Sequence, residues 1–142
     1  RMIDLQIQEC ELHPDWQVTN LLGRITSREE HEDPNTIKVV TGLDRNCLYL
    51  SREPIPGRGH FSSKSVSKQV CSISFRRHAL QSFVETSNSN LEEAESIDML
   101  RLIESGRAVF GIETSARTQA VDVRADVAKV ERLISGLDEP GL

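Results

Sequence analysis

The chain has 142 residues, enough for one domain with a hydrophobic core and too few for two domains of ordinary size. Hydrophobic residues make up 37% of the sequence, charged residues make up 27%, and the net charge is −5, so no overall positive field attracts nucleic acid or anionic lipid. Cys10, Cys47 and Cys71 are far apart and form no CxxC pair, which predicts reduced cytosolic thiols rather than disulfides or zinc ligands.

The first part of the chain predicts a helix, a strand and a charged segment. Apolar residues recur at helical spacing over Met2–Leu12, and His13–Asp15 ends that pattern. Apolar residues with polar neighbours predict a strand over Trp16–Ile25, and the charge of Thr26–Glu32 indicates a solvated short helix or loop. Because the sequence begins at Arg1 inside the helical pattern, without an initiator methionine, we expect a fragment whose N-terminal part is absent.

A β-hairpin is predicted next. Two β-rich runs, Ile37–Thr41 and Cys47–Ser51, are joined by a turn at Gly42–Asn46. The second strand therefore delivers the hydroxyl of Ser51 and the guanidinium of Arg52 to one end of a sheet, before the chain leaves through Pro54–Pro56.

The second half of the chain alternates strands and helices. Its predicted elements are a flexible loop at Gly57–Ser67, a strand at Lys68–Phe75, a helix at Arg77–Glu85, one long helix at Leu91–Ser105, a strand at Ala108–Glu113, a short extended piece at Gln119–Val121, a helix at Val123–Ile134 and a loose tail over residues 137–142. The long helix is predicted from apolar residues that recur every third position from Leu91 to Ile103. The whole pattern predicts an α/β sandwich on a mixed sheet, within a single domain of residues 1–142.

Polar side chains stand where the predicted strands end. Ser51 and Arg52 follow one strand, Lys68 and Gln69 begin another, and Asp122 follows the last extended piece. Ligands of open α/β sheets bind outside the carboxyl ends of strands, so a guanidinium and an ammonium there predict a clamp for a carboxylate or phosphate, and a carboxylate there predicts a Mg²⁺ ligand. The residues alone leave two alternatives open, a surface salt bridge for Arg52 and a helix N-cap for Asp122.

Other catalytic patterns are absent from the sequence. It contains no Walker or GxGxxG phosphate loop, no HExxH and no GxSxG. The histidines at positions 13, 31, 60 and 78 have no partner at metal-ligand spacing, so we expect histidines on the surface or in loops.

Five motifs in order resemble the 3-deoxy-manno-octulosonate cytidylyltransferase (CMP-KDO synthetase) family. Asp33–Pro56, DPNTIKVVTGLDRNCLYLSREPIP, is similar to the family pattern N-P-N-x-V-K-V-V followed by A-L-Y-F-S-R-x-P-I-P. Lys68–Arg76 is similar to R-H-x-G-I-Y-x-Y-R, and Asn90–Arg101 to P-L-E-x-x-E-x-L-E-Q-L-R. Leu102–Ile112 fits the continuation into E-x-G and a strand, and Ala120–Val123 stands where the family has G-V-D-T.

The resemblance implies a Rossmann-like nucleotidyltransferase sandwich, a mixed sheet with helices on both faces. It implies that this chain is the C-terminal half, with the sugar-binding and dimerisation parts, and that the N-terminal nucleotide-binding part is missing. It further implies a cytoplasmic, homodimeric enzyme that joins CTP to an acidic 3-deoxy-octulosonic sugar with Mg²⁺ and releases pyrophosphate, in lipopolysaccharide precursor synthesis. No nucleic-acid or membrane partner is expected.

The resemblance also implies roles for single residues. By position, Arg52 contacts the sugar acid, Gln69 lies at the sugar pocket, Glu95 and Asp98 lie near the sugar hydroxyls, and Asp122 is a Mg²⁺ ligand. Several positions depart from the family pattern. Gln69 stands in place of His, Cys71 in place of Gly and Ile73 in place of Tyr. The Glu-Gln pair is Asp98–Met99, and Ala120 and Val123 replace the Gly and Thr around Asp122.

Two hypotheses of different class follow from the sequence. The first is part of a cytidylyltransferase, with this chain inactive by itself. The second is a non-catalytic, diverged domain that retains the fold and the dimer surface, which the loss of the His and Tyr favours. A related nucleotidyltransferase acting on another acidic sugar is the remaining alternative.

Overall fold

A computed structural model describes residues 1–57, 66–116, 118, 121 and 124–137. Its elements are α1 (Met2–Leu12), β1 (Val18–Arg24), α2 (Arg28–Glu32), β2 (Lys38–Thr41), β3 (Cys47–Ser51), β4 (Ser67–Phe75), α3 (Arg77–Glu85), α4 (Asn90–Glu95), α5 (Leu100–Glu104), β5 (Phe110–Thr114) and α6 (Arg124–Leu137). None of the helices in these described ranges has the length and apolarity needed to cross a membrane.

The five strands form one mixed sheet in the order β3-β2-β4-β1-β5. β1 and β5 are parallel, and the pairs β1–β4, β2–β4 and β2–β3 are antiparallel. The predicted α/β fold with a mixed sheet is therefore confirmed.

Helices cover both faces of the interior strand β1. Leu21 and Leu22 are consecutive in β1 and point to opposite faces of the sheet. Leu22 belongs to the larger core cluster, which includes Ala79 of α3, and Leu21 belongs to a smaller cluster against which Leu5 of α1 packs. Six of the seven residues of β1 are buried, as expected for a strand that is covered on both sides.

The predicted hairpin is present, and its turn folds back onto β5. Cys47 N donates to Val109 O at 2.7 Å, and Gly111 N donates to Arg45 O at 2.8 Å. β3 and β5 lie at the two edges of the sheet, so these bonds join the edges at one end. Satisfied edge groups are protected from pairing with another chain.

The prediction of one long helix over Leu91–Ser105 is wrong. α4 ends at Ser96, which has left-handed backbone angles (φ 55°, ψ 47°), and α5 begins only at Leu100. Ile97, Met99 and Leu100 are all buried, and residues so spaced do not share one face of a continuous helix. The break lets each of these side chains enter the core, at the cost of helical hydrogen bonds.

The charged segment forms the short helix α2, as one of the two predicted options. Ser27 is its N-cap, and its Oγ accepts a hydrogen bond from Glu30 N at 3.1 Å. The expectation of a surface or loop histidine is wrong for His31, which is fully buried with Nε2 2.9 Å from Ile55 O. α2 is therefore anchored to the chain that leaves the hairpin.

Some predictions fall partly outside the described residues. This applies to positions 58–65 of the expected Gly57–Ser67 loop, to most of the extended piece at Gln119–Val121, and to positions 138–142 of the expected tail. Ser67 is already part of β4, and the last helix runs to Leu137.

Candidate functional site

The ends of three strands meet around the buried side chain of Lys38. In the register, Lys38 pairs with Ser51 at the end of β3 and with Lys68 at the start of β4, and Lys68 pairs with Gly23 near the end of β1. Gly23 also pairs with Thr114, the last residue of β5. We call this grouping of strand ends the strand-end site.

Lys38 itself was not predicted as a site residue. Its side chain is fully buried, and Nζ donates to Asp33 O at 2.9 Å and to Arg52 O. Burial lowers the pKa of Lys38, and the nearby carboxylates of Asp33, Glu53 and Glu95 oppose that change. The only signal in the sequence was a lysine between the apolar residues of a β-rich run, a pattern that usually indicates a solvent-facing position.

Glu95 joins α4 to β3. Its carboxylate accepts hydrogen bonds from Ser51 Oγ at 2.7 Å, from Tyr49 OH at 3.3 Å and from Arg52 N at 3.0 Å. Burial, followed by the charge of Glu95, raises the pKa of Tyr49. The structure thus brings Glu95 and Arg52 together, with the carboxylate directed toward the end of β3.

The Arg52 guanidinium donates to three backbone carbonyls. Nε contacts Glu95 O at 3.0 Å, Nη1 contacts Pro34 O at 3.1 Å, and Nη2 contacts Ser96 O at 3.4 Å. Two of these carbonyls lie at the C-terminal end of α4, where positive charge is favourable. Arg52 therefore caps α4 and fixes the turn at Pro34. Its predicted contact with a sugar acid stays a prediction.

Gln69 carries an unpartnered acceptor at the start of β4. Its Oε1 is buried and accepts no hydrogen bond from any described residue, while its backbone N donates to Ile37 O at 2.9 Å. Buried polar atoms are almost always paired, so this oxygen is a candidate contact for a bound donor.

Asp98 is not part of this group of contacts. Asp98 is exposed in the turn between α4 and α5, and Asp122 lies outside the described residues. Within the described ranges, no group of three or more His, Cys, Asp or Glu side chains is arranged to hold a metal ion. The described residues alone therefore do not make the expected Mg²⁺ site.

An ion pair lies beside Lys38 at the same place. Lys68 Nζ contacts Glu30 Oε1 at 2.5 Å and donates to Thr118 O at 3.1 Å. Lys68 thus connects α2, β4 and the segment after β5.

Two cavities lie away from this cluster. One, of about 340 Å³, is lined by residues at the starts of β1 and β5 and by α3, and the other, of about 330 Å³, lies between α1 and the sheet. Neither is lined by Lys38, Arg52, Gln69 or Glu95.

Comparison with known proteins gives consistent relatives. A family model described as cytidylyltransferase matches residues 1–114. The chain is similar to the 3-deoxy-manno-octulosonate cytidylyltransferases of Christiangramia forsetii (33% identity over 132 residues, 92% of this chain and 53% of the relative) and Escherichia coli (32% over 135 residues, 95% and 54%). It is also similar to the solved structure of CMP:2-keto-3-deoxy-manno-octonic acid synthetase complexed with CTP, with a TM-score of 0.83, 31% identity, and coverage of 95% of this chain and 56% of that one.

The chain spans about half the length of the relatives that it matches. The matched region, residues 1–114, is the N-terminal part of this chain and stops at the end of β5, before Asp122. This match does not support placing the chain in the C-terminal half of the family.

Proposed function

Because the chain belongs to the cytidylyltransferase family, we propose that the full-length protein transfers a cytidylyl group from CTP to an acidic 3-deoxy-octulosonic sugar. The product would be a CMP-sugar for lipopolysaccharide precursor synthesis. The observation that carries the proposal is the agreement along 95% of this chain, at a TM-score of 0.83, with a CMP-2-keto-3-deoxy-octonate synthetase solved with CTP.

In this reaction one bond to the α-phosphorus forms and a different bond to it breaks. The anomeric hydroxyl oxygen of the sugar bonds to the α-phosphorus of CTP, and the bond from that phosphorus to the oxygen bridging to the β-phosphate breaks. Pyrophosphate leaves with the electron pair, and the hydroxyl proton passes to solvent. Holding the hydroxyl in line with the leaving oxygen accounts for much of the acceleration in such transfers.

Residues of the strand-end site fit the sugar side of this reaction. The buried Oε1 of Gln69 offers an acceptor for a sugar hydroxyl. Arg52 has five N–H donors, and described residues accept three of them, so two are proposed as donors to a carboxylate. Glu95 and Asp98 are proposed near the sugar hydroxyls, with Asp98 exposed at the surface of the turn.

Mg²⁺ is proposed as the cofactor, with Asp122 as one ligand. Within the described residues no group of three or more His, Cys, Asp or Glu side chains could hold the ion, so Asp122 is the one ligand that the proposal assigns. A cytoplasmic location and a homodimer are likewise part of the proposal, and gel filtration with light scattering tests the dimer.

The activity is tested with the full-length gene product. Pyrophosphate release is measured with CTP and a 2-keto-3-deoxy-octonic acid, with each substrate omitted in turn, and after chelation of divalent cations. We expect release only when both substrates and Mg²⁺ are present. Release that does not depend on the sugar acid would contradict the proposal.

A second candidate is a non-catalytic domain that retains the fold. It is favoured by Arg52 and Glu95, whose contacts with α4 and β3 give both residues a structural role. Binding measurements distinguish the two candidate functions. Calorimetric titration of the full-length protein with CTP and with the sugar acid should show no binding of either if the domain is non-catalytic.

A further inference from the structure

A single ammonium group joins three segments of the chain at the strand-end site. Lys68 begins β4, and its Nζ lies 2.5 Å from Glu30 Oε1 of α2 and 3.1 Å from Thr118 O, beyond the end of β5. The side chains of Lys68 and Glu30 are 15% and 24% exposed, so the pair is shielded from water on most sides. Such a pair is screened less by salt than a surface pair.

A fourth segment, β1, accommodates this arrangement. A Cβ atom at Gly23 would lie 3.2 Å from Lys68 Cε and 3.4 Å from Thr118 Oγ1, both at or inside tight contact. The register places Gly23 directly between Lys68 and Thr114. A glycine at this position therefore lets the lysine stem and the segment after β5 approach the sheet together.

The geometry points to Lys68, oriented by Glu30, as a positioning residue that holds the segment leaving β5 at Thr118 against the strand-end site. Described residues accept hydrogen bonds from two of the three donors of its ammonium, and Glu30 neutralises its charge. Lys68 therefore acts as a strut, a side chain that holds two segments together, rather than as a contact for substrate. From Thr118 the chain continues to Asp122, the carboxylate proposed at this site. Only the functional consequence of the strut rests on the proposed function.

Glu30 has a second contact that supports this role. Its other oxygen, Oε2, accepts a hydrogen bond from Thr26 N at 3.0 Å, across the first turn of α2. The hydrogen bond from Thr26 N therefore holds the Glu30 carboxylate in place independently of Lys68. Loss of Lys68 leaves Glu30 in place and removes the donor to Thr118 O.

Hydrogen–deuterium exchange of the full-length protein, read by mass spectrometry, tests the strut without reference to activity. In Lys68→Met, we expect peptides covering residues 115–121 to exchange about tenfold faster than in the parent protein. Glu30→Gln should give a smaller increase in the same peptides. Glu32→Gln is the matched control, since Glu32 belongs to the same helix but forms an exposed pair with Arg28 at 3.4 Å.

Three further variants keep the test decisive if Lys68→Met does not fold. Lys68→Arg preserves the charge and should restore slow exchange. The reversed pair Glu30→Lys with Lys68→Glu should exchange more slowly than either single reversal. Gly23→Ala adds a methyl group against Lys68 Cε and Thr118 Oγ1, so it should also raise the exchange rate of the same peptides. Unchanged exchange of residues 115–121 in Lys68→Met and in Gly23→Ala would overturn the strut.

Kinetics then separate the strut from the proposed function. With an active parent enzyme, we expect Lys68→Met to lower kcat about tenfold while KM for CTP stays the same, and Lys68→Arg to recover most of the loss. An inactive parent whose variants still show faster exchange would refute the proposed function and leave the strut standing. An active parent with unchanged kcat in Lys68→Met would refute the positioning role.

Discussion

Within the described ranges, three residues other than glycine have positive φ: Arg45 in the hairpin turn, Cys71 and Ser96. Cys71 has φ of 52° where β4 bulges against β1, at the position that is Gly in the family motif. Ser96 has φ of 55° at the end of α4. Side chains with a Cβ atom are disfavoured in this region, so each residue costs about 1 kcal/mol relative to glycine.

Ser96→Gly is expected to stabilise the full-length protein by about 0.5–1 kcal/mol, because glycine adopts the left-handed angles without steric cost. Urea unfolding gives the change. Ser105→Gly is the matched control: Ser105 is also a helix C-cap, but its φ is −80° and its Oγ donates to Leu102 O at 2.8 Å. We expect no gain from that change, and an equal gain from both would contradict the explanation.

Gln69→Leu tests the unpartnered acceptor at the strand-end site. We expect kcat/KM for the sugar acid to fall about tenfold, the equivalent of one hydrogen bond. We expect no loss of stability, because the oxygen that is removed is buried and has no partner among the described residues. The control is Gln17→Leu, since Gln17 Oε1 is also buried and unpartnered within the described ranges but precedes the start of β1. Equal losses of kcat/KM in both variants would contradict the placement of Gln69 in the sugar pocket.

At the scale of elements, Arg101 fastens α5 to the segments that precede it. It binds both oxygens of Glu92, at 2.7 and 2.5 Å, and donates to Phe83 O and Thr86 O at 3.3 and 3.0 Å. Its side chain is 13% exposed, so these bonds are sheltered from water. The broken helix α4–α5 is therefore held together by a side chain at the point where backbone bonds are lost.

Arg101→Lys is expected to lower the free energy of unfolding, because lysine cannot reproduce the two-pronged contact with Glu92. Thermal and urea unfolding give the change. Arg28→Lys provides the comparison, since the pair of Arg28 with Glu32 has side chains about half exposed and is worth less than about 1 kcal/mol. Similar losses in the two variants would show that the geometry of Arg101 is unimportant.

The same pair predicts a dependence of stability on pH. Hydrogen bonding from Arg101 lowers the pKa of Glu92 below its usual value of 4.5. The stability that this contributes is fully present above pH 4.5 and is lost as pH falls through the lower pKa of the folded state. Unfolding free energies from pH 7 down to pH 3 should fall less steeply in Glu92→Gln than in the parent, and identical slopes would contradict the assignment.

At the scale of the whole molecule, the hairpin, β1 and β5 meet at Gly111. A Cβ atom there would lie 2.5 Å from Leu22 Cδ1 and 3.3 Å from Thr41 Cγ2. Gly111 N also donates to Arg45 O, one of the bonds that joins the two edges of the sheet. The closure of the sheet over its core thus depends on the absence of a side chain at this position.

Gly111→Ala is expected to destabilise the protein by about 1–3 kcal/mol through overpacking against Leu22. Gly136→Ala is the matched change, because a Cβ atom there meets nothing within 4 Å and alanine favours the helix α6 by about 1 kcal/mol. In urea unfolding we expect Gly111→Ala to lower the free energy of unfolding and Gly136→Ala to raise it. If Gly111→Ala caused no loss of stability, the hairpin would have to adjust around the added methyl group.

The sequence by itself determined the local elements, because apolar periodicity and turn residues act over a few positions. It was sufficient for α1, both strands of the hairpin, α3 and the mixed α/β class, and its motifs indicated the family. Ser51 and Arg52 were placed correctly at a strand end.

Only the tertiary structure decided which groups meet there, since contacts between distant segments leave no periodic signal. It separated α4 from α5 so that Ile97, Met99 and Leu100 enter the core. It also buried Lys38 and His31, two positions whose residue types suggested exposure to solvent. It also joined Arg52 to Glu95 at the end of α4 through hydrogen bonds from Arg52 N and Nε. It left Gln69 Oε1 without a partner among the described residues. Residues more than 30 positions apart, such as Glu30 and Lys68, became neighbours because the ends of three strands meet at the strand-end site.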